Sequence, residues 1–108
     1  VTKGLGGCLW AFSQKEWDII LKKFEEMPLV ESRDISRFFF SGATDAVPDS
    51  QGRILIPPKL RSHARLEKEV TFLGVNNRME IWDSAAWNKA GEAFDETALE
   101  LQMAKLGL

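Results

Sequence analysis

The residues best suited to chemistry lie in one short stretch, where three residues separate Asp49 from Arg53 and Lys59 and Arg61 follow. A guanidinium held on a tight turn can bind a guanine edge or a phosphate through two hydrogen bonds, a geometry that lysine cannot reproduce. Lys59 and Arg61 stand near the start of a short predicted helix, where phosphates can also be met. The pattern therefore predicts that Arg53, Lys59 and Arg61 meet phosphates or base edges of a nucleic acid, with Asp49 beside Arg53 on the turn. In the alternative interpretation, Asp49 only caps the turn and pairs with Arg53.

Other kinds of chemistry find no support in the sequence. No serine or cysteine is matched with a base and an orienting group, and no glycine-rich loop has a phosphate-binding pattern. The chain has one cysteine, Cys8, and one histidine, His63, and their spacing is not that of a zinc site. A single cysteine also excludes an intrachain disulfide. We therefore expect a protein with no enzymatic activity, metal, cofactor or small-molecule substrate. Since no apolar run is long enough to span a membrane, we also expect a soluble protein of a reducing compartment.

Charge is unevenly distributed along the 108 residues, although the net charge is only −2. Residues 1–31 carry a net −1, residues 32–68 carry seven basic and four acidic groups, and residues 69–108 carry three basic and seven acidic groups. A positive middle segment before an acidic tail predicts a local contact with an anion. Chance clustering of charges in solvated loops is the alternative.

Two copies of one pattern are present, offset by 70 residues. The offset pairs a glycine and three large aromatic residues: Gly4 with Gly74, Phe12 with Trp82, Trp17 with Trp87 and Phe24 with Phe94. Each copy is predicted to contain a turn, a short strand, a polar cap and a helix. Residues 49–66 have no counterpart in the first copy, so either the chain is a fragment or that part was never present. We favour a fragment, because half a repeat would leave strand edges open.

Helices are predicted from their caps. Ser13 and Glu16 form a capping box for the first helix, whose apolar stripe faces the core and which Pro28 ends. Ser32 is expected to cap a second helix, with Gly42 in the left-handed conformation at its end. In the second copy, the predicted cap is Asp83, and the helix is expected to continue without a break through Leu101.

Two hairpins complete the predicted elements. In one, strands at 44–47 and 53–56 flank a turn at 48–52, where Gly52 supplies a positive φ. In the other, strands at 69–75 and 78–82 flank Asn76 and Asn77. Pro58 is predicted to start a short helix whose inner face carries Leu60, Ala64 and Leu66, and the glycines at 4–7 are predicted to form a hairpin turn.

The same residues carry a family resemblance. The segments FFFSGA, DSQGRILIPPKLR, LEKEV and MEIWD, preceded by GLGGCL and EW, resemble the MraZ family of bacterial regulators encoded with division and cell-wall genes. The resemblance implies an α+β fold, a small swapped-hairpin (AbrB-like) β-barrel of two tandem repeats with flanking helices. Each family repeat holds a D-x-x-x-R motif. Here only Asp49 and Arg53 match it, so the first repeat is incomplete. We expect residues 1–31 to be the rear of that repeat and residues 32–108 to be the second.

The resemblance also implies a function. It implies sequence-specific binding to direct repeats in double-stranded promoter DNA of the division and cell-wall gene cluster, by a ring oligomer in the cytoplasm at the nucleoid. One alternative is an oligomeric structural or interaction protein, in which the basic middle segment pairs with a neighbour's acidic tail. Another is an antitoxin-like DNA-binding module.

Overall fold

An antiparallel sheet with strand order β1-β2-β4-β3 forms the centre of the computed structural model, which describes residues 1–108. Five helices accompany its four strands, which confirms the predicted α+β class. The elements are, in chain order, β1 (Thr2–Lys3), β2 (Leu9–Ala11), α1 (Gln14–Glu26), α2 (Leu29–Ser41), α3 (Pro58–His63), β3 (Val70–Val75), β4 (Arg78–Asp83), α4 (Ser84–Glu92) and α5 (Glu96–Lys105).

Strands β2 and β4 pair at the middle of the sheet, with Trp10 opposite Glu80. These two residues are 70 positions apart, the same offset as the sequence repeat. A pseudo-twofold axis therefore passes between them and relates Leu9 to Met79. Helix α2 crosses the predicted division between residues 31 and 32, and that division stays a prediction.

The two outer hairpins have different turns. Asn76 has a φ of 55°, and strands β3 and β4 lie within one residue of their predicted bounds. In the first hairpin, Lys3 pairs with Leu9, whereas Gly74 pairs with Met79 in the second. The predicted match of Gly4 with Gly74 is therefore wrong by one residue, because the first turn is the longer one.

On one face of the sheet centre, four side chains form a cluster that we call the polar clamp: Trp10, Arg78, Glu80 and Trp82. The Glu80 carboxylate accepts hydrogen bonds from the indole N–H groups of Trp10 at 3.2 Å and Trp82 at 3.1 Å. It also pairs with the Arg78 guanidinium at 3.4 Å, and that guanidinium lies 4.4 Å from the Trp10 ring centroid. These contacts join β2 to β4 across the pseudo-twofold axis.

Helix α1 begins as the sequence predicts. The Ser13 hydroxyl oxygen accepts a hydrogen bond from the Glu16 amide at 3.2 Å, although the Glu16 carboxylate makes no return bond to the Ser13 amide. The prediction that its apolar stripe faces the core is confirmed for Trp17 and Phe24, whose rings stack on Phe39 of α2 with centroids 5.3 Å and 5.6 Å apart.

Helix α2 begins before its predicted cap. Ser32 is not a cap: it lies buried inside the helix, and its hydroxyl donates to the Leu29 carbonyl oxygen at 3.5 Å. Pro28, with φ −57°, directly precedes the first helical residue, so the chain re-enters a helix at once. Gly42 has φ −110° and is not left-handed. A Cβ there would lie 3.1 Å from Leu60 Cδ2, so close packing favours glycine.

The predicted helix through Leu101 is two helices. Asp83 caps α4 as predicted, accepting a hydrogen bond from the Ala86 amide at 3.2 Å. The chain leaves the helix after Glu92, and Asp95 accepts from amides of the next turn to cap α5. The uninterrupted helix is therefore wrong, because a second capping residue follows the first helix.

The arm, which we define as residues 43–57, differs most from prediction. Its two sides at 44–47 and 53–56 contain no strand, so both predicted strands are wrong. The Asp49 amide donates to the Arg53 carbonyl oxygen at 2.8 Å, but no ladder continues from there. A strand needs an adjacent backbone to satisfy its hydrogen bonds. Thr44 exchanges two hydrogen bonds with the backbone of Val1, at 2.9 Å each, but no sheet strand pairs with the rest of the arm.

Helix α3 closes the core over the sheet. It begins at Pro58 as predicted, and Leu60 and Ala64, which are 0% and 3% exposed, face inward. They pack with Leu9 of β2 and Ile81 of β4 in one apolar cluster. This packing fixes α3 and, through it, the end of the arm. No helix of the chain has both the length and the apolar character needed to cross a membrane.

Candidate nucleic-acid interface

The turn that carries the predicted motif is fixed by its own backbone. Gly52 has the predicted positive φ, 79°, and its amide donates to the Asp49 carbonyl oxygen at 3.0 Å. The Asp49 amide in turn donates to the carbonyl oxygen of Arg53. Since a side chain at position 52 would be strained at this φ, glycine suits the position. The two motif residues are therefore held on opposite sides of a closed turn.

The Asp49 carboxylate accepts three hydrogen bonds within the turn. Its Oδ1 accepts from the amides of Gln51 and Arg53, each at 2.9 Å, and its Oδ2 accepts from Arg53 Nε at 2.9 Å. These bonds favour the charged form, the Arg53 amide most strongly, and they hold the pKa of Asp49 below its usual value. Asp49 thus caps the turn and orients the arginine, as the alternative interpretation of the motif predicts.

The Arg53 side chain is nevertheless directed to solvent. It is 72% exposed, and only Nε is engaged within the chain. Its two terminal amino groups make no hydrogen bond to the protein, so a bidentate edge stays available for an external acceptor. Capping of the turn and an outward contact are therefore compatible in one geometry.

Lys59 and Arg61 lie on α3, where they flank the buried Leu60 and are themselves exposed. No hydrogen bond or ion pair joins either of them to the Asp49–Arg53 turn. The structure thus brings two of the four predicted site residues into contact and leaves the other two as separate basic groups on the adjoining helix. Their role in binding stays a prediction.

One basic residue near the site, Arg65, was not predicted from the sequence. Arg65 and Arg61 line the same shallow cleft, of about 500 Å³, together with Ser62. Arg65 is exposed and has a φ of 51°, just after the end of α3. Helical spacing does not predict this neighbour of Arg61, because Arg65 lies beyond the last residue of α3.

Groups of other chemical types lie apart from this surface. Burial, followed by the negative charge of Glu80, raises the pKa of the Cys8 thiol to about 11, so the nucleophilic thiolate is disfavoured. His63 Nε2 lies 2.9 Å from the Gly4 carbonyl oxygen. No three His, Cys, Asp or Glu residues are grouped closely enough to hold a metal ion.

Comparison with known proteins gives one consistent answer. Residues 39–106 match the family model described as "MraZ protein, putative antitoxin-like". Proteins named transcriptional regulator MraZ are similar over most of the chain. The one from Alkaliphilus oremlandii is 45% identical over 114 aligned positions, covering 100% of this chain and 78% of the relative. Those from Alkaliphilus metalliredigens and Limosilactobacillus reuteri are 46% and 45% identical, covering 94% and 95% of this chain and 76% and 77% of the relatives.

Proposed function

The chain belongs to the MraZ family, and we propose that it regulates transcription by binding direct repeats in promoter DNA as a ring of identical chains. Its relatives are named transcriptional regulators, so the chain is a transcriptional regulator and not an enzyme. The proposed target is the promoter of a division and cell-wall gene cluster, which would place the protein in the cytoplasm at the nucleoid.

The observation that carries this proposal is the exposed guanidinium of Arg53 on a turn closed by Asp49. A side chain held in this way loses less conformational freedom on binding than an arginine on a mobile loop. Its terminal edge matches the O6 and N7 atoms of guanine in the major groove. We assign base recognition to Arg53 and orientation of its side chain to Asp49.

Lys59 and Arg61 supply the sequence-independent part of the proposed contact. Both are exposed on α3, and Arg65 lies beside Arg61 in the same cleft. Cationic side chains that neutralise phosphates release counterions and position the protein on the duplex without reading sequence. The net charge of −2 does not oppose this, because residues 32–68 carry seven basic and four acidic groups and the excess of acidic groups lies in the rest of the chain.

Ring assembly is supported by the pseudo-twofold sheet. The two halves related by the Trp10–Glu80 axis are similar but carry different side chains, so a contact between the first half of one copy and the second half of the next joins unlike surfaces. Such head-to-tail contacts form rings when they close. Repeated copies facing the same way also match direct repeats in DNA, as twofold dimers match palindromes.

The proposal is tested by measuring binding of the chain to a duplex with the direct repeats of its own promoter, over 50 to 200 mM salt. We expect affinity to fall steeply with salt and to be lower for a scrambled duplex of equal composition. Arg53→Ala should weaken repeat binding by about 5- to 150-fold, which corresponds to about 1–3 kcal/mol.

Arg33→Ala is the matched control, because Arg33 is an exposed arginine on α2 outside the turn. It should bind like the parent. Equal loss on the repeat and scrambled duplexes after Arg53→Ala would assign Arg53 to phosphate instead of base contact. Absence of any salt-dependent DNA binding would contradict the proposal and favour the structural alternative, in which assembly itself is the function.

A further inference from the structure

Helix α5 is too short to be stable by itself. It has ten residues, and none of them is buried. Isolated helices shorter than about 12 residues are marginal in water, because forming the first turn fixes several residues for one hydrogen bond. Asp95 caps α5 by accepting from the Thr97 and Ala98 amides, which fixes only the first turn. A stable α5 therefore needs a packing partner.

One face of α5 is suited to packing. Leu99, Met103 and Leu106 follow one another at spacings of four and three residues, which places them on one side of the helix. Leu101 lies on the opposite side. The side chains of Leu101 and Leu106 are 67% and 76% exposed, so the position of α5 in the structure leaves both in solvent.

The chain before α5 carries a partly covered aromatic row, which we define as Trp82, Trp87 and Phe94. Neighbouring ring centroids in the row lie 5.5 Å and 6.2 Å apart. The last ring, that of Phe94, is 55% exposed. Helical spacing places the charged residues of α4, Lys89 and Glu92, on the side away from Trp87. The row is thus an apolar surface to which α4 adds no charge.

The first half of the chain shows what covers the equivalent row. At the 70-residue offset, the equivalent residues are Phe12, Trp17 and Phe24. The buried ring of Phe39, in α2, lies 6.1 Å, 5.3 Å and 5.6 Å from these three rings. Helix α2 follows α1 after a short connection, as α5 follows α4. The helix that follows the row in sequence is therefore the one that covers it.

The apolar face of α5 matches the face of α2 that packs inward. Counted from the first residue of each helix, Leu99 takes the position of Ser32, which is buried. By the same count, Leu106 takes the position of Phe39. Leu106 is therefore placed to cover the aromatic row, as Phe39 covers its equivalent.

The polar residues that border the apolar face of α5 would stay in solvent. Glu96 and Gln102 lie on either side of that face by helical spacing. They correspond to Leu29 and Ile35 of α2, both of which are exposed. Covering the aromatic row with α5 therefore buries no charge, which would be costly.

We propose that α5 closes over the aromatic row of its own chain, so that its position in the structure is the open state of a hinged helix. Residues 93–95, which are all exposed, form the hinge. The Asp95 cap moves with the helix, because its carboxylate accepts only from amides of α5. Burial of Leu106 against Phe94 contributes to the free energy of closure. Closure needs neither DNA nor a second copy, so it stands apart from the proposed function.

Hydrogen exchange of the backbone amides of residues 99–105, measured in the full chain, tests the closure. An unpacked helix of this length exchanges at nearly the rate of an unfolded peptide, whereas we expect these amides to exchange at least about 10-fold more slowly. Leu106→Ala should remove most of this protection. Leu101→Ala is the matched control, because it is the same substitution on the far side of the same helix. It should change the exchange rates by less than about 2-fold.

Phe94→Ala should release α5 to the same extent as Leu106→Ala, and the two together should add little, because both remove one contact. Exchange at the unfolded rate in the parent chain, or equal effects of Leu106→Ala and Leu101→Ala, would overturn the closure. The measurement is repeated at about 1 μM and about 50 μM protein. Equal protection supports closure within one chain, whereas protection that falls on dilution would assign the cover to another copy and contradict the proposal. DNA binding is measured separately and bears on none of these outcomes.

Discussion

Asp49 illustrates how one carboxylate can serve a DNA-binding surface although it has the charge of DNA. It lies at the surface, where a bare negative charge would repel phosphate. Its oxygens, however, are occupied by two backbone amides and by Arg53 Nε, which together keep the turn closed. The balance between repulsion and scaffolding decides whether this residue helps or hinders binding.

Replacing this aspartate separates the two effects. With Asp49→Ala, we expect weaker binding to repeat DNA, by about 5- to 30-fold, because Arg53 loses the charged acceptor that orients its side chain. Asp45→Ala, which removes an exposed negative charge from the same arm but not from the turn, is the control. Tighter binding by both variants would show that repulsion dominates and that the scaffold is unimportant.

At this scale the sequence was informative, because the Asp49–Arg53 turn is built from contacts within five residues. A glycine that permits positive φ and an aspartate that caps a turn act locally, so their geometry follows from residue type. Arg65 was missed because its position depends on how α3 packs on the sheet, which no local pattern reports.

Among the elements, the side-chain caps of α1 and α4 were predictable, whereas the start of α2, which has no side-chain cap, was not. Ser13 and Asp83 each accept from an amide three residues later, as their sequence context predicts. Helix α2 begins after Pro28 with no side-chain cap, so the serine nearby in sequence was misleading. Strand prediction failed in the arm, because extended residues become a strand only when another backbone lies beside them.

Gly4 gives a test of how the first hairpin meets the polar clamp. A Cβ at this position would lie 2.6 Å from Trp10 Cδ1, closer than real contacts allow. Trp10 cannot move aside easily, because its indole N–H donates to Glu80 and its ring contacts Arg78. We expect Gly4→Ala to lower the free energy of unfolding by about 1–3 kcal/mol, measured by urea denaturation followed by tryptophan fluorescence.

Gly91→Ala is the matched substitution in helix α4, where an added Cβ meets nothing within 4 Å. Because alanine favours helix over glycine, this variant should be more stable by about 0.5–1 kcal/mol. A Gly4→Ala protein as stable as the parent would mean that Trp10 is not held in the clamp.

In the whole molecule, the 70-residue repeat was the most informative sequence signal, since its offset recurs in the Trp10–Glu80 pair. What it could not report is how differently the two halves are covered. Leu9 is fully buried under Leu60 of α3, whereas its pseudo-twofold mate Met79 is 42% exposed. Met79 borders an open, mainly apolar groove of about 800 Å³ between the arm and the sheet. Coverage depends on what packs above each half, which is a property of the tertiary structure.

This asymmetry predicts unequal costs for equivalent truncations. Leu9→Ala should lower the free energy of unfolding by about 2–5 kcal/mol, because it removes buried methyl groups and leaves a cavity beneath α3. Met79→Ala should lower it by less than about 1 kcal/mol, because the side chain already contacts solvent. Both free energies of unfolding are measured by urea denaturation at low micromolar protein concentration. The m-value, which is the dependence of the free energy of unfolding on urea concentration, is compared between variants.

If Met79→Ala were as costly as Leu9→Ala, the groove would have to be filled in solution, by the arm closing over it or by another chain. Dependence of that cost on protein concentration would separate these cases, since only an intermolecular occupant is diluted away.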